Sequence, residues 1–118
     1  MQFNSNQLNE VSQFLQSGNL LAYPTEAVWG IGCDPFNEQA VQRILTIKNR
    51  PYEKGMIVVT ADTDLITDFM QPLPQATQQQ IIQTWQSSQN QATTYLFRIP
   101  NNVQIPNWVT GGRDTLAI

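Results

Sequence analysis

The feature that most constrains this chain is a proline set into an apolar run of strand character. Asn19 to Tyr23 reads as a short buried strand, and Pro24-Thr25-Glu26 interrupts it. Proline fixes φ and has no N–H to give to a sheet ladder, so the strand cannot pass through position 24 as a central sheet member. The apolar run resumes from Ala27 to Cys33, where Gly30 and Gly32 leave room for a neighbouring strand or a ligand to approach closely. The chain must break at residues 24 to 26, and a strand end broken by proline exposes backbone groups that a small ligand could use.

The segments around this break alternate between helical and strand patterns. Leu8, Val11, Phe14 and Leu15 recur at helical spacing between Asn6 and Gly18, which predicts an amphipathic helix over residues 6 to 17. Asn37 is placed to cap a second helix over residues 38 to 47, with Ala40, Val41, Ile44, Leu45 and Ile47 on its inner face, and Arg50-Pro51 forces the chain extended after it. GMIVVT, Gly55 to Thr60, has the continuous β-branched character of a central strand. A short helix from Asp62 or Thr63 to Met70, a Gln-rich helix over residues 75 to 85, a polar QSSQNQ loop and a strand from Thr93 to Ile99 follow. NWVTGGRDTLAI then makes a Gly-Gly turn into a strand from Asp114 to Ile118.

This alternation predicts an α/β (α+β) fold, a twisted mixed sheet with flanking helices and a site in a cleft on one face. At 118 residues the chain accommodates one domain, 1–118, and its 41% hydrophobic content is enough to order it. Because the last residues lie inside an apolar strand, the domain is expected to be incomplete, with its C-terminal portion missing.

Composition removes several chemistries. These residues contain no histidine, so a Ser-His-Asp triad, a His-metal site and a His general base are excluded from them. A single cysteine, Cys33, forms neither an internal disulfide nor a Cys-rich metal site, and its expected place is a small buried side chain. The net charge of -3 gives no general attraction to polyanions. Charge is unevenly placed, however, because Lys48, Arg50 and Lys54 supply three of the six basic residues within seven positions. No apolar run approaches the ~20 residues of a membrane span, and MQFNSNQLNE lacks the order of a secretion signal, so a cytoplasmic protein without membrane association is expected.

Two segments carry a resemblance to a known family. AYPTEAVWGIGC, residues 22 to 33, resembles the signature of the YrdC/TsaC/Sua5 family, and Lys48-Asn49-Arg50-Pro51 with Lys54-Gly55 follows at that family's spacing. Thr94-Tyr95-Leu96-Phe97 and the segment from Val109 to Ala117 look like its later blocks. The resemblance implies a YrdC-like fold and threonylcarbamoyl-AMP synthase activity. In that reaction threonine and bicarbonate give an N-carboxylated threonine that reacts at the α-phosphate of ATP, yielding threonylcarbamoyl-AMP and pyrophosphate. The product serves N6-threonylcarbamoyladenosine (t6A37) modification of tRNA, which makes tRNA and Tsa-type pathway proteins the expected partners beyond L-threonine, bicarbonate and ATP.

The chemistry gives these residues roles. Bringing a carboxylate to a triphosphate needs fixed cations on the phosphates and on the leaving pyrophosphate. The resemblance assigns ATP binding to Lys48, Arg50 and Lys54, with Lys48 and Arg50 as the catalytic pair. It assigns threonine binding to Thr25, Ala27 and Thr94, with Glu26 beside them. Mg²⁺ is expected to arrive on the ATP phosphates rather than in a metal site of the chain's own.

Other features have plainer readings. Trp29 could stack an adenine but belongs more often in a core. Asp62, Asp64 and Asp68 suit helix capping and the macrodipole better than a metal. The family's Trp-Pro-Gly-Pro turn is replaced by Trp85-Gln86-Ser87-Ser88, and its Ser-Thr-Ser-Ala-Asn block would fall beyond Ile118. A non-catalytic YrdC-like module that binds nucleotide or RNA is the alternative to a synthase.

Overall fold

A computed structural model of the chain describes residues 1–87 and 92–118, so most of the expected QSSQNQ loop, residues 88–91, lies outside the described residues. The chain divides into two compact units, Met1–Tyr52 and Glu53–Ile118.

The first unit opens with helix α1, Leu8–Gln16. Val11, Phe14 and Leu15 are half-buried along one stripe, and Phe3 meets Phe14 edge-on at 5.3 Å between ring centres, whereas Leu8 at the first turn is exposed. Strands β1, Leu21–Pro24, and β2, Trp29–Gly32, then form an antiparallel hairpin in which Leu21 faces Gly32 and Pro24 faces Trp29. The proline is the last residue of its strand, where a missing N–H does least harm to the ladder. The space beside the two strand glycines is already filled from within: a Cβ on Gly30 would stand 3.1 Å from the Tyr23 ring, and one on Gly32 would stand 3.0 Å from it. Tyr23 thus lies across its directly opposed and diagonal neighbours on one face of the hairpin.

Helix α2, Glu38–Lys48, has both ends fixed by side-chain and backbone geometry. Asn37 Oδ1 accepts from the Ala40 N–H at 3.0 Å, a side-chain N-cap. At the other end Asn49 is left-handed at φ 50°, ψ 45°. Its N–H donates to Thr46 O at 3.1 Å, and the Arg50 N–H donates to Leu45 O at 2.9 Å. This bond pair is a Schellman motif, with Pro51 directly after it. Ala40, Val41, Ile44 and Leu45 are buried as expected. Ile47 is not: it is 62% exposed, because at about 100° per residue it falls about 90° from the centre of that stripe.

In the second unit Ile66, Phe69, Met70, Ile81, Phe97, Val109, Leu116 and Ile118 form one buried cluster. Asp62 accepts from the Asp64 N–H at 2.9 Å and starts a 3-10 turn over Thr63–Ile66 that runs into helix α3, Thr67–Met70. Helix α4, Gln75–Gln86, contributes Ile81 to the cluster. Strands β3, Leu96–Arg98, and β4, Thr115–Ala117, pair antiparallel with Phe97 facing Leu116, and helix α5, Asn107–Thr110, precedes the Gly-Gly turn between them. Tyr95 and Ile118 prolong the ladder by exchanging two bonds of 2.9 Å.

The expected α/β character is present, built from short antiparallel pairs and one parallel bridge, Ile57 to Ala117. GMIVVT is not the buried central strand that its composition predicts. Gly55 is left-handed at φ 68°, so the run cannot begin extended, and beyond it β4 bonds the segment only at this bridge. Ile57 and Val59 are consequently exposed.

Candidate functional site

In the first unit the expected site residues occupy two places. Thr25, Glu26 and Ala27 form the exposed tip of the β1–β2 hairpin. The Thr25 hydroxyl is used inside that tip: it accepts from the Val28 N–H at 3.1 Å and the Ala27 N–H at 3.3 Å, and it donates to the Val28 carbonyl. The Thr25 N–H donates to the same carbonyl at 3.1 Å. A ligand at the tip would therefore meet the backbone and the Ala27 methyl, with the Thr25 hydroxyl shaping the turn.

Lys48 and Arg50 flank the left-handed Asn49 at the exit of α2. Lys48 is exposed on the last helical turn, where the carbonyl end of the macrodipole favours a cation. Arg50 is half-buried and lines an open depression of about 560 Å³ with Gln42, Leu45, Thr46, Asn49, Pro51 and Tyr52. The reversal at Asn49 prevents these two cations from following consecutive helical directions.

In the second unit Lys54 ends a short 3-10 turn, Tyr52–Lys54, that opens a tight backbone interlock. The Met56 N–H donates to Val109 O at 2.7 Å. A Cβ on Gly55 would stand 2.9 Å from Thr110 O, and one on Gly111 would stand 2.6 Å from Glu53 O and 2.9 Å from Gly55 N. Both glycines are left-handed, at φ 68° and 70°, so each is required twice, for conformation and for clearance. Arg113 completes the arrangement by donating from Nη1 to Lys54 O at 3.2 Å. Neither Arg113 nor Gly111 is given a role by the sequence, which marks them through the Gly-Gly turn and the family-like segment from Val109 to Ala117.

Thr94 belongs to a cleft of about 390 Å³ in the second unit, lined by Ile57 to Thr63, Trp85, Thr93 and Ile118 among others. Trp85 anchors one wall, with its indole N–H donating to Thr93 O at 2.8 Å and its ring edge-on to Tyr95 at 5.6 Å. The cleft mixes threonine hydroxyls with apolar walls, a composition suited to a small amphipathic ligand.

Two expectations about side chains are corrected. Trp29 is 72% exposed at the start of β2 rather than in the core: it pairs with the exposed Pro24, on the face of the hairpin opposite the one that Tyr23 covers. Cys33 is half-buried rather than buried, and burial first and Asp34 second push its thiol above the ordinary value. No group of three or more Cys, Asp or Glu side chains suited to a metal ion occurs among the described residues. No helix among them is long and apolar enough to cross a membrane.

Comparison with known proteins finds a match over residues 13–118 to the Sua5/YciO/YrdC family model, described as "Telomere recombination". A threonylcarbamoyl-AMP synthase of Psychrobacter cryohalolentis is 48% identical over 116 residues, covering 92% of this chain and 54% of the relative. One from Acinetobacter baumannii is 47% identical over 113 residues, covering 94% and 59%. The chain thus spans just over half the length of these curated relatives. Among solved structures, a doubly substituted Sua5 of P. abyssi superposes with a TM-score of 0.78 at 26% identity, over 98% of this chain and 34% of that one.

Proposed function

This chain belongs to the Sua5/YciO/YrdC family, and from that premise we propose that it serves the synthesis of threonylcarbamoyl-AMP from L-threonine, bicarbonate and ATP. The observation that carries this reading is the cationic exit of α2, where a side-chain cap and a left-handed Asn49 hold Lys48 and Arg50 at fixed backbone positions. Its likeness to relatives that bear the synthase name supports the choice of reaction.

In the proposed step a carboxylate oxygen of N-carboxythreonine attacks the α-phosphorus, the bond to the bridging oxygen breaks, and pyrophosphate leaves with the electron pair. The reacting groups are all anionic, so the barrier falls when cations are fixed before they meet. Arg50, with a planar fork of donors, suits the bridging and terminal phosphate oxygens, and Lys48 and Lys54 act as point charges. Thr25 shapes the tip that presents Ala27 to threonine, and Thr94 lends a hydroxyl to the substrate's polar end. Mg²⁺ would be carried by the triphosphate, where it neutralises charge. Use of the product in cytoplasmic t6A modification of tRNA, with Tsa-type proteins, belongs to the same proposal.

The test is pyrophosphate release with threonine, bicarbonate, ATP and Mg²⁺ present together, and with each omitted in turn. Release is expected only from the complete mixture. Release that ignores threonine, or none from either this chain or a longer version carrying the Ser-Thr-Ser-Ala-Asn block, ends the reading. Binding of nucleotide or tRNA without turnover in both would favour a non-catalytic module.

A further inference from the structure

The geometry points to Arg113 as a positioning residue for Lys54, so that a nucleotide triphosphate bound through Lys54 depends on a residue 59 positions later in the chain. This rests on the proposed role of Lys54 at the phosphates.

Three independent contacts fasten the Glu53–Met56 backbone to α5 and the turn after it. Met56 bonds Val109, the hydrogen of Gly111 faces Glu53 O where a methyl would not fit, and the Arg113 guanidinium holds the Lys54 carbonyl itself. The first two fix the residues on either side of Lys54. Among the contacts of the described residues Arg113 is the one that bonds Lys54 itself, and a carbonyl held by a charged donor loses rotation of the adjoining peptide, which sets the direction in which the Lys54 side chain leaves the backbone. No carboxylate pairs with Arg113 among the described residues, since neighbouring Asp114 is engaged with Arg98 at 3.3 Å. The guanidinium is therefore left to hold the Lys54 backbone. Both side chains are exposed, so the contact adds little to folding and its effect should appear in ligand affinity.

The experiment is a double-substitution cycle on the full chain, with ATP-Mg²⁺ affinity measured by calorimetry and melting temperature recorded for each variant. Arg113→Ala is expected to weaken ATP binding about three- to tenfold with little change in melting temperature. The same substitution in a Lys54→Ala background should have no further effect, and Arg113→Lys, which keeps a charged donor of similar reach, should restore most of the affinity. Arg98→Ala, which loses only a solvent-exposed pair, should bind like the parent chain. If Lys54→Ala weakens ATP and Arg113→Ala does not, or if their effects simply multiply, the positioning role is overturned while the phosphate site stands. If Lys54→Ala leaves ATP binding intact, Lys54 has no place at the phosphates and the role of Arg113 falls with it.

Discussion

Replacing Gly111 by alanine while using Gly112→Ala as its internal reference separates two effects that usually arrive together. Both residues are left-handed, at φ 70° and 85°, so a Cβ costs each about 1–2 kcal/mol of backbone strain. They differ in surroundings. A Cβ on Gly112 meets nothing within 4 Å, whereas one on Gly111 stands 2.6 Å from Glu53 O and 2.9 Å from Gly55 N. The first distance is roughly 0.9 Å short of the ~3.5 Å optimum for such atoms. The obstructing atoms are backbone on a segment also bonded through Met56 to Val109, so relief requires moving the interlock rather than rotating a side chain. Overpacking of this kind costs about 1–3 kcal/mol. Gly111→Ala should therefore destabilise by about 2–5 kcal/mol and Gly112→Ala by about 1–2 kcal/mol. In urea, with a slope of about 1–2 kcal/mol/M for a small protein, the excess moves the midpoint by roughly 1 M. Equal midpoints for the two variants would show that Glu53 and Gly55 do not crowd Gly111, and the account of the interlock would be wrong.

Other substitutions test the remaining elements. Arg50→Ala should weaken ATP binding far more than Arg43→Ala, which lies within α2 whereas Arg50 lies just past its end, as read by calorimetry; equal losses would remove Arg50 from the phosphate site. Trp29→Ala should shift the melting temperature by no more than a few degrees, because an exposed indole gives up little burial, whereas Val109→Ala, at 1% exposure in the core, should cost about 2–3 kcal/mol in chemical unfolding. Alkylation of Cys33 should reach half its maximal rate at a pH above that of free cysteine, since a raised thiol has less thiolate at any given pH; Asp34→Asn should lower that midpoint without abolishing the shift, because burial is the larger cause. A midpoint at or below that of free cysteine would contradict the half-buried setting.

Elements governed by local rules were legible in the sequence. Asn37 as a cap and the stripe Ala40, Val41, Ile44, Leu45 determine α2 from within a dozen residues, and the proline at 24 marks the end of β1 because its missing N–H is a property of one residue. GMIVVT fails for the opposite reason. Its composition says what an extended segment could bury, but whether it lies between strands depends on partners elsewhere, and among the described residues β4 is the one strand that meets it, at one bridge. Trp29 follows the same logic, since its exposure depends on which hairpin face is covered, and it stands with Pro24 on the face away from Tyr23. For the site, the clustering of Lys48, Arg50 and Lys54 is visible in one dimension, whereas Arg113 reaches Lys54 only through the fold. The left-handed glycine at 111 could be anticipated from its Gly-Gly context, but its crowding by Glu53 could not.

The closed circuit of bonds at the β1–β2 tip bears on how any ligand there would be met. With the Thr25 hydroxyl joining the Ala27 and Val28 amides and the Val28 carbonyl, the loop has surrendered its conformational freedom during folding, and a molecule docking against it has no such disorder left to remove. Affinity at this tip would thus be set by contact and desolvation alone, and Thr25→Ser, which keeps the oxygen, should be tolerated where Thr25→Val, which keeps the shape, should not.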